Sequence, residues 1–189
     1  MGITAKIPFI VPPITPIYNP DHCQVYLPMY GGRFRDLSPK GNHGSSSDVA
    51  WDRWKGGQAP HFDGVSGKVD CGQDSSIDIA DQHTIYLKVQ FLTWKNDGIV
   101  WRKEADSNNK IQLICNDSTK LEFQIYDGSV QQVSIESSVI VLNRLYEVII
   151  RIDETNQVCD FYLDKVLQGE DTGFTLPDTS GADLILGVG

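Results

Sequence analysis

Apolar and polar residues alternate with a period of two in run after run along this chain. The pattern is clear at 23–30, 83–93, 109–115, 119–126, 130–136, 145–153 and 157–164. Between 84 and 94, Ile85, Leu87, Val89 and Phe91 take one face while Tyr86, Lys88, Gln90 and Trp94 take the other. Leu121, Phe123 and Ile125 alternate with Glu122, Gln124 and Tyr126, and Tyr146, Val148, Ile150 and Ile152 alternate with Glu147, Arg151 and Asp153. Turn formers separate the runs: Asn96-Asp97-Gly98, residues 106–109, Asn116-Asp117-Ser118, Asp127-Gly128 and residues 153–156. Strands this regular, with no helical stretch between them, predict an all-β fold of antiparallel sheets, each with one buried and one wet face. Residues 31–60 interrupt the pattern and read as a long Gly/Ser/Asp/Trp-rich loop. Residues 1–20 carry Pro8, Pro12, Pro13, Pro16 and Pro20 and read as an extended arm or linker, leaving 21–189 as one sandwich domain.

Composition narrows the class. A chain of 189 residues, 40% hydrophobic and 22% charged, is long enough to bury its own core. Its net charge of −9 disfavours nucleic acid and anionic membrane as partners, and no apolar run reaches the roughly 18 residues a spanning helix needs. The prolines break up the apolar stretch at residues 7–17, so no signal peptide is recognised. Cys23, Cys71, Cys115 and Cys159 form no Cys-x-x-Cys pair, which argues against zinc. Each falls in phase with core-facing residues, so they are expected either as buried free thiols or as one or two disulfides.

Several segments resemble the laminin G-like branch of the concanavalin A-like lectins. Asp36-Leu37-Ser38-Pro39-Lys40-Gly41-Asn42-His43-Gly44 is similar to that family's Asp-x-Ser-x-x-Gly-Asn-His-Gly loop, and His61-Phe62-Asp63-Gly64 to its Phe-Asp-Gly hairpin. Residues 75–85, Asn143-Arg144-Leu145-Tyr146-Glu147-Val148, Phe161-Tyr162-Leu163-Asp164 and Leu184-Ile185-Leu186-Gly187 follow in the family's order. The resemblance covers about residues 21–189 and implies a two-sheet antiparallel jelly-roll sandwich. Two departures stand out: Lys165 occupies a hairpin position that is usually Gly, and the chain stops at Gly189 where the family continues into another strand. Residues 5–11 of the arm are expected to fill that sheet position.

The resemblance also frames the chemistry. Some relatives are glycoside hydrolases, but the motif Glu-x-Asp-x-x-Glu is absent, and Glu122 and Glu136 have no second carboxylate two or four residues along their strands. His22, His43, His61 and His83 fall at turns or strand edges, and no nucleophile elbow or phosphate loop is present. No catalytic residue is therefore expected. A structural calcium, which needs several hard oxygens, is expected at Asp36, Asn42 and Asp63, with Asp70, Asp74 and Asp78 as a second acidic cluster. Tyr86, Lys88, Arg102, Gln124 and Tyr126 on wet faces, with Trp51 and Trp54 in the long loop, are expected to bind carbohydrate, aromatic faces stacking on sugar and polar groups fixing hydroxyls. The expected function is a non-catalytic carbohydrate-binding or adhesion module of a larger extracellular, cell-surface or virion-associated protein. A structural or protein–protein interaction domain is the alternative, and a hydrolase with an unrecognised site is a second one.

Overall fold

In a computed structural model, which describes residues 5–6, 23–29, 32–54 and 57–188, the alternating runs become fourteen strands. In chain order they are β1 (Ala5–Lys6), β2 (Ser45–Ser47), β3 (Val49–Trp54), β4 (Gly57–Phe62), β5 (Lys68–Asp70), β6 (Gln82–Phe91) and β7 (Gly98–Asp106). They continue as β8 (Asn109–Cys115), β9 (Lys120–Asp127), β10 (Val130–Val139), β11 (Leu145–Asp153), β12 (Val158–Leu163), β13 (Val166–Thr172) and β14 (Leu184–Val188). Two seven-stranded sheets result, ordered β13-β12-β11-β6-β1-β4-β3 and β10-β9-β8-β7-β14-β5-β2. Their antiparallel strands make the predicted sandwich.

The inward residues of both sheets merge into one core. Val89, Phe91, Val148, Ile150 and Phe161 come from the first sheet, and Ile111, Leu113, Leu121, Phe123 and Ile125 from the second. Removing each such side chain from water contributes about 1.5–3 kcal/mol. Among the inward residues Lys103, on β7, is charged and has no exposed surface. Its Nζ donates to the Ala182 carbonyl at 2.9 Å and pairs with Asp78 Oδ1 at 2.9 Å, tying two loops to the core.

Several expectations need correction. Residues 23–29 bury Met29, with Val25 and Leu27 packed on the core, but they join no ladder among the described residues. The backbone of Tyr26 is instead engaged by Leu37 N–H at 2.9 Å and by the Asp36 carboxylate at 2.7 Å. The expected loop at 31–60 contains β2 and the β3–β4 hairpin, in which Val49 pairs with Phe62 and Trp54 with Gly57. The clustered glycines near that turn hid the alternation of Val49 and Trp51 with Ala50 and Asp52. Alternation also breaks within β7, where a register shift sets Ile99 opposite Ile114 and Trp101 opposite Leu113.

Two tight places carry special backbone. The β12–β13 turn is the pair Asp164-Lys165, both with positive φ (51° and 69°), a mirror-type hairpin turn achieved without glycine. Gly187 has φ +65°, and a Cβ there would lie 2.3 Å from Phe62 Cδ1, so only glycine fits.

From the N-terminal arm, β1 lies between β4 and β6. Ala5 pairs with Phe62 and Phe91, and Lys6 with His61 and Gln90. The rest of the expected 5–11 segment, and the proline stretch after it, lie outside the described residues. Deleting residues 1–15 unpairs both neighbouring strands and is expected to lower Tm by roughly 5–10 °C in a thermal melt. An unchanged Tm would mean that β1 contributes nothing to the sheet.

Candidate functional site

The outward face of the second sheet carries a continuous row of mostly polar residues. Followed across strands in register, one row runs Ser134, Gln124, Gln112, Arg102, Ile185, Asp70, Ser45, one residue from each of seven strands. The flanking rows are Glu136, Glu122, Ile114, Ile99 on one side and Gln131, Tyr126, Lys110, Glu104 on the other.

Gln112 and Gln124 point away from the core yet are only 7% and 8% exposed. Their neighbours hold them in one direction. Gln112 Nε2 donates to Gln124 Oε1 at 2.7 Å, Gln124 Nε2 donates to Glu122 Oε1 at 2.7 Å, and Ser134 Oγ reaches the same Glu122 oxygen at 2.8 Å. Arg102 is steadied by Glu104 at 2.7 Å through one nitrogen. Lys110 Nζ lies 4.9 Å from the centre of the Tyr126 ring, a cation–π contact that fixes both. These are donors and acceptors locked in place before a ligand arrives, the condition under which polar recognition costs least.

Glu122 and Glu136 are directly opposite each other on β9 and β10, a pairing that the one-strand reading of the sequence missed. Glu136 accepts from Asn116 Nδ2 at 2.8 Å and from Lys120 Nζ at 2.6 Å, and Glu122 from Gln124 and Ser134. Both carboxylates are thus bound up in fixed hydrogen bonds.

The sugar-contact set expected from sequence divides. Arg102, Gln124 and Tyr126 do come together on this face. Tyr86 and Lys88 belong to β6, on the outward face of the other sheet. There Tyr86 donates to Glu147 Oε2 at 3.0 Å, Lys88 pairs with the same carboxylate at 3.9 Å, and burial together with Glu147 pushes the Tyr86 hydroxyl pKa up. Tyr86, Ile149, Tyr162 and Leu167 line up across that sheet, flanked by Arg151, which pairs with Asp160 and meets Tyr162 Oη at 2.6 Å. Trp51 turns inward against Phe34, ring centres 5.1 Å apart. Trp54 ends β3, and its side chain lies outside the described ones. Glu122 and Ser134 join the site through strand register, which alternation along a single strand does not reveal.

The three residues expected to hold calcium are each engaged in hydrogen bonds. Asp36 is 3% exposed. Its Oδ1 accepts from Tyr26 N–H at 2.7 Å and Ser38 N–H at 2.8 Å, and its Oδ2 from Asn42 N–H at 2.7 Å, with the Ser38 hydroxyl also 2.7 Å away. Asn42 Nδ2 donates to Gln24 O and Ser76 Oγ, both at 2.9 Å. Asp36 N–H donates to His43 Nδ1 at 3.1 Å. Asp63 caps a separate turn, its Oδ1 accepting from Val65, Ser66 and Gly67 N–H at 2.9, 3.0 and 2.9 Å. Those N–H groups hold its pKa down at about 2. Buried and enclosed by donors, the Asp36 carboxylate does not offer the free oxygens a cation needs. Asp70, Asp74 and Asp78 are each engaged separately, with Gly72 N–H, Ser76 N–H and Lys103. No group of three or more His, Cys, Asp or Glu side chains gathers around a common point among the described residues.

All four cysteines are free thiols. Cys71, Cys115 and Cys159 are buried and Cys23 half-buried. Burial, and secondarily nearby aspartates, pushes Cys71 and Cys159 up to about 12, and burial raises Cys115 as well. No helix among the described residues is long and apolar enough to cross a membrane.

No protein-family model matches the chain, and no curated protein matches it in sequence. Solved structures do match in fold. Domain 4 of AbnA, a GH43 extracellular arabinanase from Geobacillus stearothermophilus, in complex with arabinotriose, aligns with a TM-score of 0.62 and 15% identity over 82% of this chain and 77% of that one. A mutant of HCR/D aligns with a TM-score of 0.59 and 10% identity over 85% of this chain and 42% of that one. The CBM40 of the Ruminococcus gnavus IT-sialidase, bound to α2,3-sialyllactose, gives 0.49 and 12% over 61% of this chain and 71% of that one. The chain is therefore a β-sandwich domain in fold, similar in this to domain 4 of the arabinanase.

Asp36→Ala leaves three backbone N–H groups without their acceptor. It is expected to lower stability by about 3 kcal/mol in urea denaturation, with loss of the amide protection of Tyr26, Ser38 and Asn42 in hydrogen exchange. Asp63 gives an acid limb. Its folded pKa lies below the unfolded value of about 3.9, so its contribution is full above about pH 4 and is lost as pH falls toward 2. Asp63→Asn should flatten the decline in stability between about pH 4 and pH 2.

Proposed function

We propose that the outward face of the second sheet binds carbohydrate and that the domain acts as a non-catalytic binding module of a larger extracellular or surface protein. The observation that carries this reading is the fixed Gln112–Gln124–Glu122–Ser134 chain beside Arg102 and Tyr126. Amides, a carboxylate and a guanidinium supply paired donors and acceptors for sugar hydroxyls, and Tyr126 supplies a ring face for sugar C–H groups. Support also comes from the fold neighbour in complex with arabinotriose. The laminin G-like order of motifs belongs to the same reading, with the Asp36 loop serving as a hydrogen-bonded brace. The carboxylate pair on β9 and β10 is read as binding rather than catalytic, because glycoside hydrolysis requires one free acid and one free base or nucleophile about a shared bond.

A second reading rests on an apolar corner. Val139, Val141 and Leu142 at the end of β10 and its following loop, and Val166 and Leu167 on β13, are exposed. The two segments are tied by Ser138 N–H donating to Gln168 Oε1 at 2.7 Å and by the Arg144–Asp164 pair at 2.5 Å. Such a surface suits a protein contact.

A glycan array followed by calorimetry separates the readings. Gln112→Ala, Gln124→Ala and Arg102→Ala are each expected to weaken glycan binding by about tenfold or more, while Tyr86→Ala on the opposite sheet leaves it unchanged, and chelator has no effect. A folded domain that binds no glycan would leave the protein-contact reading standing. Loss of binding on Tyr86→Ala alone would move the site to the other face.

A further inference from the structure

A separate depression of about 490 Å3 lies on the flank of the sandwich, lined by Gly32, Arg33, Phe34, Arg35, His43, Gly44 and Ser46. Burial alternates along its first wall: Arg33 and Arg35 are exposed while Phe34 and Asp36 are buried. Period-two geometry in an extended segment puts the two arginines on the same side, about 6.5–7 Å apart along the chain. Phe34 anchors this wall against Trp51. The second wall, 43–46, is locked to the first, since Gly44 N–H donates to Phe34 O at 2.8 Å and Asp36 N–H donates to His43 Nδ1 at 3.1 Å. With its Nδ1 lone pair so used, His43 carries its ring proton on Nε2 and is a donor there.

No acidic residue lines the depression. The Asp36 carboxylate, directly behind it, is turned inward onto its own donors. Neither Arg33 nor Arg35 has an ion-pair or hydrogen-bond partner among the described residues, whereas Arg102, Arg144 and Arg151 each hold a carboxylate. In a chain of net charge −9, two unpaired guanidinium groups side by side over a donor-rich depression are a local reversal of field.

We propose that this depression is a second ligand site, which takes a single oxyanion carried on a glycan: a uronic-acid carboxylate or a sulfate ester. Guanidinium groups match both oxyanions through paired N–H donors. His43 Nε2–H and the Ser46 hydroxyl complete the set from the second wall. A long polyanion is disfavoured, because the charge around the depression repels every group beyond the one seated there. The site is distinct from the sheet face proposed above and does not require that face to bind sugar.

The test uses the whole chain and follows backbone amides by NMR during titration with three probes of equal length: a galactose oligomer ending in one galacturonate, the same oligomer carrying one sulfate ester, and the neutral galactose oligomer. The expected result is saturable shifts at Gly32, Gly44 and Ser46 with at least one charged probe and none with the neutral one. Whichever charged probe binds names the oxyanion. The double variant Arg33→Gln/Arg35→Gln should weaken that binding by about tenfold or more without changing Tm, both side chains being exposed and unpaired, whereas Gln124→Ala on the sheet face should leave it intact. No shift at these amides with either charged probe, equal shifts with the neutral probe, or undiminished binding in the double variant would overturn the proposal. Shifts confined to β8 and β9 would do the same while leaving the sheet-face site standing.

Discussion

Two sheets share one apolar interior, and that single constraint decides what every other residue of the domain is free to do. Phe91, Val148, Ile150 and Phe161 on one side and Leu113, Phe123 and Ile125 on the other consume the inward half of each strand. Only the outward half remains available for chemistry. The edges of the interior are closed by polar devices. Lys103 reaches from β7 to Asp78 and Ala182, and Asp36 gathers the backbones of residues 26, 38 and 42. A buried charge of this kind is weak as a net source of stability but costly to break on one side only. These contacts therefore fix where the loops lie rather than adding much to the folding free energy.

The order and alternation of strands were legible because each strand is wet on one side. Tyr146 to Ile152 and Leu121 to Ile125 declare their inward faces residue by residue. Legibility failed where hydrogen bonds come from side chains or where the period breaks. Residues 23–29 have a strand's alternation in sequence without a strand's pairing, and the Asp36 carboxylate takes the Tyr26 N–H that a ladder would have used. In β7 a register shift moved Ile99 to the other face. The β3–β4 hairpin was hidden because the glycines around its turn read as loop.

The candidate site was half legible for the same reason. Alternation places Arg102, Gln124 and Tyr126 outward but does not say which sheet they share. Assigning Tyr86 to the same surface required a pairing order that no single strand encodes, and so did the partnership of Glu122 with Glu136. The Asp36 loop illustrates a different limit. Its residue types suit cation binding and backbone capping equally well, because both draw on short oxygen-bearing side chains. Only the direction of the neighbouring N–H groups distinguishes them, and here three of those groups point at the carboxylate.

The cysteines carry a consequence for where such a domain can work. Three thiols sit in the packed interior as small apolar side chains, with their ionisation suppressed, and no bridge forms part of the fold. Thiolates are the reactive species in oxidation and exchange. The domain's integrity is therefore indifferent to the redox potential around it: it needs no oxidising machinery to mature and loses no crosslink in a reducing environment.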